Sequence, residues 1–183
     1  MSSEIINNLV IKAKEGNIEA FGILYETYSR DMYKFAFYYL SSAPLAEDCV
    51  SECVLTAFQK IGTLKKPEAF KSWLFKILYN CCNKALTEKI RSRDTVELSS
   101  LIDLCREDSD QSEIISLKNS LEKITEEERT IILLSYISGY TSKEIGKMLS
   151  LKDSTVRSKL MRSTVKLRQM LHTDEVLRSK KIN

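Results

Sequence analysis

The sequence predicts an all-α protein: two small helical domains joined by a flexible acidic linker, the second a four-helix domain with a helix-turn-helix. Three observations carry this. Only five Gly and two Pro occur in 183 residues, so few helix breakers interrupt the chain. Apolar residues recur at helical spacing in nearly every segment. Two Thr-x-x-Glu capping boxes, Thr125 with Glu128 and Thr141 with Glu144, each precede an apolar helical stretch.

In chain order, residues 5–14 put Ile5, Ile6, Leu9, Val10 and Ala13 on one side of an amphipathic helix. Gly16 stops it and Asn17 caps a second helix, about 18–40, rich in aromatics: Phe21, Tyr25, Tyr28, Tyr33, Phe35, Phe37, Tyr38 and Tyr39. Ser41-Ser42-Ala43-Pro44 breaks the chain, and Pro44 suits the first turn of a third helix, 44–61, which Gly62 ends. A short loop of residues 63–66 leads to Pro67 and a fourth helix, about 67–89. There Phe70, Trp73, Leu74, Ile77, Leu78, Cys81, Cys82 and Ala85 follow a 3.6-residue period, which makes Trp73 a core residue rather than a stacking platform.

Residues 91–112 turn acidic and Ser/Asp-rich, the composition of a linker. Helices resume near 113–123. The first capping box opens a helix carrying Ile131, Ile132, Leu133 and Leu134 that stops at Gly139. The second opens a short helix with Ile145 and Leu149 on one stripe, and with Gly146 allowing a neighbouring helix to approach. Ser150-Leu151-Lys152 makes a turn with Leu151 facing inward. Asp153 or Ser154 caps the last helix, whose Val156, Leu160 and Leu167 face the core. Left outward are Thr155, Arg157, Ser158, Lys159, Met161, Arg162, Lys166 and Arg168, a basic recognition helix shaped for a DNA major groove.

Charge is sorted along the chain in a way that a merely solvated surface does not require. Residues 141–172 hold eight Lys/Arg and two Asp/Glu, a net of +6, although the whole chain is only +3. Residues 91–113 hold three Lys/Arg and seven Asp/Glu, a net of −4. Such sorting is expected where one face meets phosphate.

Other classes fare worse. Cys49, Cys53, Cys81, Cys82 and Cys105 are an odd number, no CxxC occurs, and the single histidine, His172, is remote in sequence. Small buried hydrophobes are the expected role of the thiols, and no metal or cofactor is expected. There is no Gly-rich phosphate loop and no nucleophile elbow, so no catalytic residue and no small-molecule substrate are expected. No apolar run approaches the roughly 20 residues of a membrane span. The N-terminal stretch also lacks a signal peptide's uninterrupted apolar core, so the expected location is cytoplasmic.

Both halves together resemble an extracytoplasmic-function (ECF) sigma factor, the two-domain promoter-specificity subunit of bacterial RNA polymerase. AFGILYETYSRDMYKFAFYYL (20–40) is similar to that family's opening AFxxLYxxY segment, and AEDCVSECVLTAFQKI (46–61) and FKSWLFKILYNCCNKAL (70–86) resemble its next two blocks. The span from LEKITEEERTIILLSYISGYTSKEIGKMLSL to KDSTVRSKLMRSTVKLR resembles its second domain. Departures are Ser51 for the usual Gln, Lys84 for Asp, Gly146 for Ala, Ser150 and Ser154 for Gly, Lys159 for Arg and Ser163 for Ala.

The resemblance implies no covalent chemistry. It implies that residues 1–90 form region 2, 91–112 the linker and 113–172 region 4, with 173–183 a C-terminal tail. Asp48, Ser51, Glu52, Leu55 and Gln59 match the segment that docks on the clamp helices of core polymerase, whose flap takes region 4. Thr63, Leu64, Lys65, Lys66 and Asn80 match a pocket for an unstacked base of the melted −10 element. Arg157, Ser158, Met161 and Arg162 match positions facing −35 base edges, with Thr155, Lys159, Lys166 and Arg168 better placed for phosphates. The resemblance also implies where a regulatory anti-sigma protein would bind if this member has one: the face of the aromatic-rich second helix and the groove between the domains. No insertion into a membrane is implied.

Overall fold

The computed structural model describes residues 1–92 and 111–179, with side chains over 1–88 and 113–172. Eight α-helices make up these residues: α1 (Ser3–Lys14), α2 (Ile18–Leu40), α3 (Ala43–Lys60), α4 (Phe70–Ser92), α5 (Gln111–Glu122), α6 (Glu126–Tyr136), α7 (Ser142–Leu149) and α8 (Asp153–Ser179). Short 3₁₀ turns at Ile61–Thr63 and Pro67–Ala69 connect α3 to α4. Helices α1–α4 form one compact unit and α5–α8 a second.

The first unit is built around α2, which packs on α1, α3 and α4. Leu24, Tyr28, Met32, Phe35 and Tyr39 recur every three or four residues along its buried face. Phe35 meets Phe75 edge-on at 6.0 Å, Tyr28 tilts against Phe70 at 5.9 Å, and Tyr39 meets Tyr79 edge-on at 5.9 Å. Each such pair adds about 0.5–1.5 kcal/mol beyond the apolar area it buries. Trp73 is half-buried, its ring 6.0 Å from Phe70. On α1 the inward positions narrow to Val10 and Ala13, while Ile5 stays 52% exposed although the periodicity places it on the same stripe.

Local signals fix most helix ends. Asn17 accepts a hydrogen bond from the Ala20 N–H at 2.8 Å, after Gly16 turns the chain at φ +93°. Helix α3 starts one residue before Pro44, which occupies the first turn where its missing N–H costs nothing. Residues 67–69 are a 3₁₀ turn rather than the start of α4. The linker expected over 91–112 lies largely outside the described residues; its two ends, 91–92 and 111–112, belong to α4 and α5. Helix α8 runs on to Ser179, so residues 173–179 are helical where a tail was expected. No Gly or Pro occurs there to stop it.

In the second unit α8 packs on α5, α6 and α7. Both capping boxes form: the Glu128 N–H donates to Thr125 Oγ1 at 3.3 Å while the Thr125 N–H donates back to Glu128 Oε2 at 3.0 Å, and Thr141 and Glu144 repeat the pattern at 3.3 and 2.8 Å. Behind them Ile131, Leu134, Ile145, Val156 and Leu167 form the core. No helix among the described residues is long and apolar enough to cross a membrane.

Candidate nucleic-acid interface

The turn between α7 and α8 fixes where the basic helix begins. Ser150 takes a left-handed conformation at φ 58°, and the Leu151 N–H donates to the Gly146 carbonyl at 2.8 Å, closing the end of α7. A Cβ on Gly146 would lie 2.6 Å from the Leu151 carbonyl oxygen. The closest approach that Gly146 permits is therefore to the turn's backbone, with the Asp153 N at the start of α8 next at 3.6 Å. Asp153 is the first residue of α8 instead of its cap: the Val156 N–H bonds the Lys152 carbonyl, and the Asp153 carboxylate accepts from Arg157 at 2.8 Å.

Along α8 the inward positions are Val156, Ser163 and Leu167, with Leu160 and Thr164 half-buried. Ser163 satisfies its buried hydroxyl on the Lys159 carbonyl at 2.7 Å. Opposite, Ser158, Met161, Arg162 and Val165 recur at i, i+3, i+4 and i+7, so they share one outward stripe. Met161 is 72% exposed, the largest exposure of any apolar side chain on α8 outside the C-terminal turns. Val165, 46% exposed, was not singled out from the sequence; its signal was the four-residue step from Met161. Arg162 Nε donates to the Ser158 carbonyl at 3.3 Å, which lays the guanidinium along the stripe.

Flanking this stripe, Thr155, Lys159 and Lys166 lie to one side and Arg157 and Arg168 to the other. Two of these cations are already engaged. Arg157 pairs with Asp153, and Lys159 Nζ reaches Glu127 Oε1 at 3.3 Å on the first turn of α6. That acidic turn also holds Glu128, whose carboxyl sits below its usual range because the Thr125 N–H bonds it, with Lys166 and Lys159 assisting.

In the first unit, Asp48, Ser51, Glu52, Leu55 and Gln59 are all exposed along the outer face of α3. Leu55 is 64% exposed, and next to it Phe58, also absent from the sequence-based set, is 42% exposed while meeting Phe21 edge-on at 5.1 Å. An exposed leucine and phenylalanine among acidic residues form an apolar patch with a charged rim, a surface suited to a protein partner. Glu52 reaches Lys84 of α4 at 3.7 Å.

Thr63, Lys65 and Lys66 are exposed on the connection before α4, and the Thr63 hydroxyl donates to the Lys60 carbonyl at 2.7 Å. Leu64 is only 5% exposed and faces the core, so it offers no wall to an unstacked base. Asn80 is exposed on α4, ten residues past Phe70 and about 15 Å further along the helix axis. Cys49, Cys53, Cys81 and Cys82 are free and buried, as expected of small hydrophobes; Cys105 lies outside the described residues.

Residues 24–92 match the description "Sigma-70 region 2" and residues 114–167 match "Sigma-70, region 4", together about two thirds of the chain. The chain is 28% identical over 153 residues to RNA polymerase sigma factor SigV of Bacillus subtilis, covering 81% of this chain and 89% of that protein. To ECF RNA polymerase sigma factor SigX of the same organism it is 28% identical over 175 residues, covering 86% and 90%. Among solved structures, the sigma factor RpoE of Bartonella quintana, in complex with the anti-sigma factor NepR, superposes with a TM-score of 0.71 at 20% identity, covering 86% of this chain and 99% of that one. CnrH in complex with the cytosolic domain of CnrY gives 0.68 at 22% identity, covering 93% and 99%. Two matched regions in the sigma-70 order, on an all-helical fold shared with solved sigma factors, place this chain in the ECF branch of the sigma-70 family, as a sigma factor that directs transcription initiation.

Proposed function

We propose that the outward stripe of α8 reads the −35 element, and that the exposed stripe Ser158, Met161, Arg162 and Val165, flanked by cations on both sides, is the observation that carries this reading. Arg162 suits guanine O6 and N7, and Met161 with Val165 suits a thymine methyl. Thr155, Arg157, Lys159, Lys166 and Arg168 serve phosphates and base edges at the margins. For Arg157 and Lys159, engagement means exchanging Asp153 and Glu127 for DNA.

In the same reading, residues 1–90 act as region 2, 91–112 as a linker and 113–172 as region 4, α8 continuing beyond it. The outer face of α3, with Asp48, Ser51, Glu52, Leu55 and Gln59 joined by Phe58, docks on the clamp helices of core polymerase, and region 4 meets the flap. Thr63, Lys65 and Lys66 with Asn80 engage the melted −10 strand; Leu64 supports their loop from the core. The protein carries out no covalent chemistry and works in the cytoplasm with polymerase and promoter DNA. RpoE and CnrH were each solved with a partner bound, which supports an anti-sigma partner here, on the exposed face of α2.

The test is Arg162→Ala in a reconstituted transcription reaction on a set of −35 variants. A base contact there is worth about 1–3 kcal/mol, so transcription falls five-fold or more from the preferred −35 sequence and the preference at one position flattens. An equal loss on every −35 variant would reduce Arg162 to a phosphate contact.

A further inference from the structure

The cations of α8 are not equally placed. Arg157, Arg162, Lys166 and Arg168 are exposed, whereas Lys159 is half-buried and its ammonium lies 3.3 Å from Glu127 Oε1. That contact joins two helices: Glu127 stands in the first turn of α6, between Glu126 and Glu128, and Lys159 in the second turn of α8. Both ends are mounted on firm backbone. The capping box ties Thr125 to Glu128, α6 packs on α8, and the Lys159 carbonyl accepts the buried Ser163 hydroxyl at 2.7 Å. The Arg157–Asp153 pair differs, since it spans one turn of a single helix with side chains 64% and 40% exposed, where water screens it well.

A carboxylate in the first turn of a helix is favoured by the positive end of the helix dipole, so Glu127 stays ionised where it sits. The neighbouring Glu128 feels both Lys166 and Lys159, which sets the acidic turn of α6 against the Lys159–Lys166 flank of α8. A phosphate approaching that flank meets an ammonium that already has an anion beside it. Lysine presents one compact charge, so a phosphate contact there replaces the carboxylate contact, and the displaced carboxylate is left next to a polyanion. Both effects subtract from binding. Neither depends on base sequence, because phosphates carry none.

We propose that Glu127 is an affinity-determining residue for DNA: its carboxylate holds Lys159 in place of a phosphate and keeps the free chain a weak DNA binder. This rests on the reading of α8 as the DNA-facing helix. Two tasks are then divided between two sets of residues. The outward stripe of α8 sets which −35 sequence is preferred, and Glu127 sets how strongly phosphate attraction alone holds the chain on any duplex. With that sequence-independent attraction reduced, the chain is retained less by non-promoter DNA and depends more on polymerase to engage a promoter.

The test measures binding of the full chain to short duplexes carrying the −35 variants, by fluorescence anisotropy at low ionic strength. Wild type is compared with Glu127→Gln, Lys159→Gln and the double variant. Glu127→Gln is expected to raise affinity about three- to five-fold on every duplex, with the preference among them unchanged. A gain in binding cannot come from unfolding. Lys159→Gln is expected to lower affinity on every duplex, and adding Glu127→Gln to it to restore little of the loss. No gain in Glu127→Gln overturns the proposal. So does an equal gain with and without Lys159, which would mean general repulsion of DNA rather than the pair, and so does a gain confined to one −35 variant, which would assign Glu127 to a base edge. If Lys159→Gln alone leaves binding unchanged, the phosphate role of Lys159 fails and the proposal with it. Arg162→Ala on the same duplexes separates that failure from failure of the −35 reading, which alone predicts that the preference flattens.

Discussion

Gly146→Ala sets two effects of opposite sign against each other. Alanine in a helix interior is favoured over glycine by about 1 kcal/mol. Against this, the new Cβ would sit 2.6 Å from the Leu151 carbonyl oxygen, so the turn must retreat by roughly 0.8 Å to reach ordinary contact. The turn has little freedom to do so. Its Leu151 N–H is tied to the Gly146 carbonyl at 2.8 Å, and Ser150 already holds a left-handed conformation that costs a non-glycine residue about 1 kcal/mol. Overpacking of this kind costs about 1–3 kcal/mol, and a weakened hydrogen bond adds about 0.5–1.5. The clash wins, by about 1–2 kcal/mol. Trp73 lies in the other unit and does not report on this turn, so amide exchange of Leu151 and Val156 is the suitable assay. Protection there should drop about five- to thirty-fold. Ser150→Gly, which removes the left-handed strain, should raise it and partly rescue the alanine variant, the two sites sharing one turn. Unchanged or increased protection in Gly146→Ala would show that helix propensity, not the turn carbonyl, governs this position.

Three further outcomes are expected. Thr125→Ala removes the cap of α6 and costs about 1 kcal/mol at neutral pH, read by exchange protection in the second unit. Because the folded-state pKa of Glu128 is lowered, its contribution is present above the ordinary carboxylate pKa of about 4.3 and is lost as pH falls through the lower folded value; wild type and Glu128→Gln should therefore converge in stability toward pH 3, and a gap that stays constant from pH 7 to pH 3 would remove Glu128's charge from the cap. Asp48→Lys with Glu52→Lys should abolish association with core polymerase while shifting stability by no more than about 1 kcal/mol, and wild-type affinity in that variant would move the docking face elsewhere.

Much of this architecture was legible because its signals are short-range. A capping box needs two residues three apart, so the starts of α6 and α7 were visible, as were Gly16 and Asn17 between α1 and α2. Most outward residues of α8, Val165 excepted, followed from periodicity. What escaped depends on which distant atoms meet. Gly146 reads as room for a neighbouring helix, but that the tightest neighbour is the Leu151 carbonyl shows only in the folded turn. That Lys159 pairs with Glu127, 3.3 Å away on another helix, before it meets any phosphate depends on tertiary packing. Leu64 lies in a loop among lysines, and only its tertiary packing shows that it turns inward. Cys49 and Cys53 could be placed on one helix face from their spacing, but their meeting with Cys81 and Cys82 depends on how α3 and α4 are registered.

The central claim is that this chain carries two small DNA-reading surfaces whose spacing is set by the polymerase that holds them. The most direct measurement is reconstituted transcription from genomic fragments, comparing core polymerase alone, this chain alone on the same DNA, and both together, with start sites mapped. The expected result is initiation at defined sites only when both are present, and weak, salt-sensitive DNA binding by the chain alone, because two weakly binding surfaces gain avidity only when a scaffold fixes their separation. Tight, specific binding by the isolated chain, with no gain on adding core polymerase, would contradict the account.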